Sequence, residues 1–291
     1  MTVINTNTAA TISANALTKN ERAMSQAMER LSTGQRINSA ADDAAGLAIS
    51  SKMTSQINGL NQAVRNANDG ISMIQTADGA LIEMTGMLQR MRELSVQSAS
   101  DTNTTTDRAG LDLEFEQLKA EIERIADNTQ WNGTNLLDSS LSVDFQVGAN
   151  ASQTITVVIE DFNILNTDAT SGVFEGLDTS ALGGTAARDL TALGVDDKAN
   201  ATAAITDLDM AIEHVNTQRA TLGATINRLE YAADNLANVA QNASASRSRI
   251  LDADYAAETT ELARTQIIQQ AGTAMLSQAN QQAQSVLALL K

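Results

Sequence analysis

TQIIQQAGTAMLSQANQQAQSVLALL, Thr265 to Leu290, contains no charged residue, although the 291-residue chain carries a formal net charge of −16. Read as a helix, this stretch is roughly 39 Å long at 1.5 Å per residue. Ile267, Ile268, Ala271, Ala274, Met275, Ala279, Ala283, Val286, Leu287, Leu289 and Leu290 spread around much of its circumference. Gln, Ser, Thr and Asn occupy the rest. Such a helix is too polar for a bilayer, and it has no charges to keep a lone apolar face in water.

A counterpart exists at the other end. Ile4, Ile12, Ala16, Leu17, Met24, Met28 and Leu31 approximate a four-three spacing, and the first charge in the chain is Lys19. Neither segment can bury its apolar surface alone, and the two paired as a coil still have an outer face short of charge. Burial among copies of the same pair resolves this, with the ordering cost of about 1–2 kcal/mol per residue offset only on assembly. Repeated heterologous contacts that do not close generate a helical filament. The predicted assembly residues are Ile12, Leu17, Met24, Met28, Leu31, Ile267, Ile268, Met275, Val286, Leu287 and Leu290.

Between the termini the pattern is more strongly periodic. Ile57, Leu60, Val64, Ala67, Ile71, Ile74, Leu81 and Leu88, widened by Met84 and Met91, predict a long amphipathic helix. Leu111, Phe115, Leu118, Ile122 and Ile125 predict a second, separated from the first by the polar loop SDTNTTTD. Ile205, Leu208, Ile212, Val215, Leu222, Ile226, Leu229 and Leu236 keep a heptad register, interrupted at Arg219 and Ala233. SVDFQV and QTITVVI flank a GANAS turn and read as a β-hairpin. Glu160 to Asn200 holds eight acidic and two basic residues without a lasting period, and reads as a loose, solvent-facing segment. The expected fold is therefore mainly α: a long antiparallel coiled-coil or helix-bundle hairpin with a small β-hairpin region near its distal end.

Composition narrows the chemistry. There is no Pro to interrupt helices, no Cys for disulfides or thiolates, and only 2% aromatic residues to build a thick core. The acidic balance argues against nucleic acid as a partner. No apolar run of about 18 residues is available to span a membrane, and the N-terminus lacks the features of a signal peptide. His214, the only histidine, lies off the heptad seam and reads as a solvated helix residue. One His and no Cys exclude the usual zinc sites, and no phosphate-cradling Gly-rich loop is present. Asp42 and Asp43 point about 100° apart on a helix and read as structural groups near a helix start. Trp131 reads as a packing anchor at a turn. No enzyme and no cofactor emerge.

The motifs themselves are distinctive. ERLSTGQRINSAADDAAGLAIS, VRNANDGISMIQTADGAL, LQRMRELSVQSAS and QWNGTNLL lie in the first half, and SRILDADYAAETTELARTQIIQQAGTAMLSQANQQAQSVLALLK closes the chain. In these stretches, covering roughly the first 160 and last 90 residues, the chain resembles bacterial flagellin. The resemblance implies a subunit of the extracellular flagellar filament used for swimming motility. Export would run unfolded through the flagellar secretion apparatus, without a cleavable signal peptide. It implies an inner axial coiled coil with its spoke at residues 1–42 and 247–291, with GQRINSAADDAAG as the spoke. Outer-wall helices and the hairpin would occupy 43–160 and 200–246, with a short variable surface segment at 161–199. A C-terminal export chaperone, filament cap and hook-junction proteins are implied partners. So is a host Toll-like receptor, through Gln89, Arg90, Glu93, Leu94 and Glu114. No zinc-protease insert is expected, because HExxH is absent. Two rival readings are a hook–filament junction protein of the same superfamily and a chemoreceptor-like helical hairpin. The second would need an anchor or sensing domain and a helical tip.

Overall fold

The computed structural model describes residues 7–162 and 193–289. In chain order the elements are α1 (Thr8–Thr33), α2 (Ala44–Ser98), α3 (Thr105–Asn128), β1 (Gln130–Trp131), β2 (Thr134–Asn135), β3 (Leu141–Gln146), β4 (Thr154–Ile159), α4 (Lys198–Leu251) and α5 (Tyr255–Leu289). Among the described residues the fold is mainly α with two small antiparallel strand pairs. It divides into two compact units, Met1–Ile57 with Gln241–Lys291, and Asn58–Ala240.

The Asn58–Ala240 unit is a helical bundle with a conventional core. Leu60, Ala67, Ile74, Ala77, Leu81, Met84, Leu88, Met91 and Leu94 form one buried three-four stripe along α2. It meets Phe115, Ile122 and Ala126 of α3 and a heptad row on α4, Leu208, Val215, Leu222, Leu229 and Leu236. Burial of each such large side chain contributes about 1.5–3 kcal/mol. α4 runs antiparallel to α2: Arg219 pairs with Asp78 at 2.8 Å, while nearer the other end Lys198 pairs with Asp101 at 2.7 Å. The heptad interruption at Arg219 is thus an interhelical ion pair.

The second seam position of α4 differs from the sequence reading by one residue. Ala204, Ala211, Gln218 and Thr225 are buried, whereas Ile205, Ile212 and Ile226 beside them are only half-buried. Small residues at 204 and 211 let neighbouring elements approach α4 closely. Gln218 is buried because its side-chain amide donates to the Val158 carbonyl of β4 at 2.8 Å. This bond ties the β-hairpin to the helix.

β3 and β4 pair antiparallel from Leu141↔Ile159 to Gln146↔Thr154. The hairpin lies against α2 at Gly70, where an added Cβ would stand 3.1 Å from the Phe145 ring. Glycine is needed there for that close approach. α3 starts at a capping box: Asp107 N–H donates to Thr104 Oγ1 at 3.3 Å, and Thr104 N–H donates to the Asp107 carboxylate at 2.9 Å.

Two expectations need correction. Trp131 does lie at a turn, the Asn132–Gly133 connection between β1 and β2, where both residues have positive φ. The residue is 37% exposed, so the packing expected of it is only partial. The acidic segment after the hairpin, Glu160 to Asn200, reads from sequence as loose and solvent-facing. Its flanks do not face solvent: Asp161, Phe162, Leu193 and Val195 are buried. Val195 N–H donates to Asp112 at 2.8 Å and its carbonyl accepts from the Ser98 hydroxyl. The middle of that segment, 163–192, lies outside the described residues. His214 is exposed, as its place off the seam predicts.

Candidate assembly surface

α1 and α5 form an antiparallel pair whose ends are well specified. Asn7 caps α1 by accepting from Ala10 N–H at 3.0 Å. Gly34 ends it in the left-handed conformation at φ 70°, its N–H donating to the Arg30 carbonyl at 2.9 Å. Asp254 caps α5 by accepting from Ala256 N–H at 2.9 Å. Across the pair, Asn7 Nδ2 donates to the Ala279 carbonyl at 3.2 Å and Asn20 Nδ2 to the Thr265 carbonyl at 2.8 Å. Arg30 pairs with Glu258 at 3.0 Å. An added Cβ on Gly272 would stand 3.2 Å from Leu17.

The links at the base of this pair are tied together. Gln35 bridges Asp252, Arg36 N–H donates to the Leu251 carbonyl at 2.7 Å, and Ala253 N–H donates to the Gly34 carbonyl at 2.9 Å. Arg36 Nη2 adds a bond to the Ile250 carbonyl at 2.8 Å, where the helix dipole favours a cation. Asp42 closes the next turn by accepting from Ser39 N–H at 2.9 Å and Asn38 N–H at 3.2 Å. The Ser39 and then the Asn38 backbone donors hold its carboxyl below the usual aspartate range. Asp43 accepts from Gly46 N–H at 2.9 Å at the start of α2. Both aspartates serve local backbone structure, in agreement with their sequence reading.

The fully buried groups of the seam between α1 and α5 are small or polar, and half-buried leucines flank them. On α1 only Asn20 and Ala27 are buried, and Thr265 is buried on α5. Five large apolar residues of the pair point elsewhere. Ile12 is 69% exposed, Met28 53%, Ile267 66%, Ile268 42% and Met275 64%. Leu17, Met24 and Leu31 are half-buried. Val286 and Leu287 fall on the last turns of α5, and Leu290 lies outside the described residues. An otherwise regular, capped helical pair therefore presents its largest apolar side chains to the outside.

A second sequence-predicted group lies on α2 and α3. Arg90 pairs with Glu93 at 3.0 Å and with Glu114 at 2.9 Å, and all three are exposed, as is Gln89. The Glu93 and Glu114 hydrogen bonds raise the Arg90 guanidinium further above its already high ordinary value. Leu94 does not belong with them. Its side chain is 0% exposed, because it continues the buried stripe through Leu88 and Met91, so it offers no contact surface. Among the described residues no cluster of three or more His, Cys, Asp or Glu could hold a metal ion, and no helix is long and apolar enough to cross a membrane.

A capped antiparallel coil with apolar residues turned outward, in a chain whose other unit has its own buried core, is the form of a subunit built to be covered by other chains. Comparison with known proteins specifies which kind. Residues 4–142 match the bacterial flagellin N-terminal helical region, and residues 205–290 match the bacterial flagellin C-terminal helical region. A flagellin of Halalkalibacterium halodurans is 49% identical over 91% of this chain and 91% of its own length. The flagellar filament 33 kDa core protein of Treponema phagedenis is 45% identical over 99% of this chain and 100% of its own. A solved Bacillus cereus flagellin has 31% identity and a TM-score of 0.45, covering 59% of this chain and 88% of that one. The chain belongs to the flagellin family. It is a structural subunit that polymerises with copies of itself into the extracellular flagellar filament.

Proposed function

We propose that the α1–α5 pair forms the axial core of the filament, with Ile12, Leu17, Met24, Met28, Leu31, Ile267, Ile268, Met275, Val286, Leu287 and Leu290 packing between subunits. The observation that carries this reading is the outward exposure of Ile12, Ile267 and Met275 on a capped coil whose fully buried residues, Asn20, Ala27 and Thr265, are small or polar. Residues 1–42 and 247–291 form the axial coil with its spoke, and 43–160 with 200–246 form the outer wall. Residues 161–199 are the variable segment, anchored at both flanks by buried Phe162, Leu193 and Val195. The protein works mechanically and catalyses nothing. It leaves the cell unfolded through the flagellar export apparatus without a cleaved signal peptide, escorted by a chaperone on its C-terminal segment. It then meets the filament cap and hook-junction proteins. Near-full-length identity to flagellins favours the filament shaft over the hook–filament junction.

Deleting Gln281 to Lys291 tests the axial role. The truncated protein is given filament seeds under precipitant and examined by electron microscopy. Soluble, partly helical monomer without elongation is expected, and normal filaments would remove the coil from the assembly surface.

A second reading concerns Gln89, Arg90, Glu93 and Glu114, which share one exposed, ion-paired patch. This patch is the contact for a host Toll-like receptor. Arg90→Ala in a receptor reporter assay is expected to weaken the response, and an unchanged response would take Arg90 out of the contact.

A further inference from the structure

The methionines of this chain are distributed unevenly by exposure. In the Asn58–Ala240 unit, Met73, Met84 and Met91 are buried, and Met87 and Met210 are half-buried. In the other unit Met24 and Met53 are half-buried, while Met28 and Met275 are 53% and 64% exposed. Among the described residues these two are the methionines classed with the exposed large apolar side chains. Both lie on the α1–α5 pair. The pairing of Asn7 with Ala279 and of Leu17 with Gly272 puts Met275 level with Ile12, itself 69% exposed. Met28 lies toward the other end of the pair, near the Arg30–Glu258 ion pair.

Exposure and polarisability together make a thioether reactive. A buried thioether packed at 0% exposure cannot be approached by an oxidant, and one that is half or more exposed can. The sulfur lone pair attacks one oxygen of a peroxide, forming an S–O bond as the O–O bond breaks. The departing hydroxide takes up the remaining peroxide proton and leaves as water, so the sulfur loses two electrons and the peroxide gains them. The product is a polar, chiral sulfoxide where an apolar side chain stood. On a solvated monomer surface that change is tolerated. On a surface that must be buried against another subunit it introduces a strong acceptor without a donor.

We propose that Met28 and Met275 are a pair of oxidation sites through which a peroxide-class oxidant stops the free subunit from polymerising, while the assembled filament shields both. The inference rests on the axial reading above, and it adds a chemical control to that surface. Oxidation spares the centre of the Asn58–Ala240 core, because Met73, Met84 and Met91 are buried there. Sulfoxide reduction by a methionine sulfoxide reductase restores competence.

Full-length monomer and finished filaments are treated in parallel with hydrogen peroxide. Sulfoxide is located by peptide mass spectrometry, and seeded elongation is followed by sedimentation. In monomer, Met28 and Met275 are expected to oxidise well ahead of Met84 and Met91. The oxidised subunit is expected to show a critical concentration raised about tenfold or more. Met28→Leu/Met275→Leu, whatever its own starting critical concentration, is expected to show the same value before and after the treatment, because neither leucine can be oxidised. Oxidised wild-type subunit that elongates like untreated protein would overturn the proposal, as would a double variant that loses elongation alongside it. The filament arm separates the two layers of the argument. If Met28 and Met275 react as fast in filaments as in monomer, the axial reading itself fails. If they are protected there but oxidised monomer still elongates, only the oxidation control fails.

Discussion

Ile267→Ala separates folding from assembly, because Ile267 is 66% exposed in the free subunit. The change removes three carbons from a side chain that the axial reading covers on polymerisation. At about 0.8 kcal/mol per buried CH₂ group, full burial of those carbons is worth roughly 2.4 kcal/mol. Scaling by the exposed fraction leaves about 1.6 kcal/mol for assembly to supply, since the remaining third is already covered within the subunit. At 1.4 kcal/mol per factor of ten, the critical concentration rises about fifteenfold. The free subunit is expected to be nearly unaffected, since Ala is the better helix former and offsets the small packing loss. Critical concentration is read by sedimenting seeded reactions over a dilution series, and monomer stability by thermal circular dichroism. A critical concentration within twofold of wild type would refute the reasoning. So would a monomer destabilised by as much as the polymer.

Other expectations follow from single features. Leu222→Ala, 1% exposed on the α4 heptad row, should destabilise the free subunit by about 2–5 kcal/mol in denaturant unfolding. Gly79→Ala and Gly86→Ala should each stabilise the monomer by about 0.5–1 kcal/mol, since an added Cβ meets nothing within 4 Å and α2 is helical at both positions. Arg219→Ala should cost about 0.5–1 kcal/mol, because its pair with Asp78 is one-third exposed and screened, and a double-mutant cycle with Asp78→Asn isolates the pair. On the acid side, Asp42, Asp101, Asp107 and Glu121 have folded-state values lowered, by the Ser39 backbone bond, Lys198, Thr104 and Arg124 respectively. Their contribution is complete above the unfolded-state values and is lost as pH falls through the folded ones. Glu123, raised by desolvation and then by Asp127, works in the opposite sense. With four groups against one, the thermal midpoint should fall below about pH 4, and Asp107→Asn should flatten that fall.

Much of this architecture is written in the apolar periodicity, and the failures have a common cause. The Leu208–Leu236 row and the α2 stripe were legible because large apolar residues recur at helical spacing. Ala204, Ala211, Gln218 and Thr225 were missed as the second seam because small and polar residues give no such signal. Their burial depends on a hairpin carbonyl and on close packing that one strand of sequence cannot display. Leu94 is a different kind of miss. The steps Leu81, Met84, Leu88, Met91 and Leu94 extend one stripe, so its burial is readable from periodicity, and only the family resemblance sets it among the exposed residues. The hydrogen bonds joining Gly34–Arg36 to Ile250–Ala253 bring together residues more than 200 positions apart, which no local pattern encodes. The terminal coil was legible for the opposite reason from the core. Its lack of charge, in a chain of net charge −16, marked a surface that the free subunit leaves uncovered.

A near-atomic density map of filaments assembled from this chain tests the central claim most directly. The account predicts α1 and α5 at the filament axis, with Ile12, Ile267, Ile268 and Met275 packed against neighbouring subunits. A map in which those side chains face solvent, while other surfaces carry the subunit contacts, would contradict it.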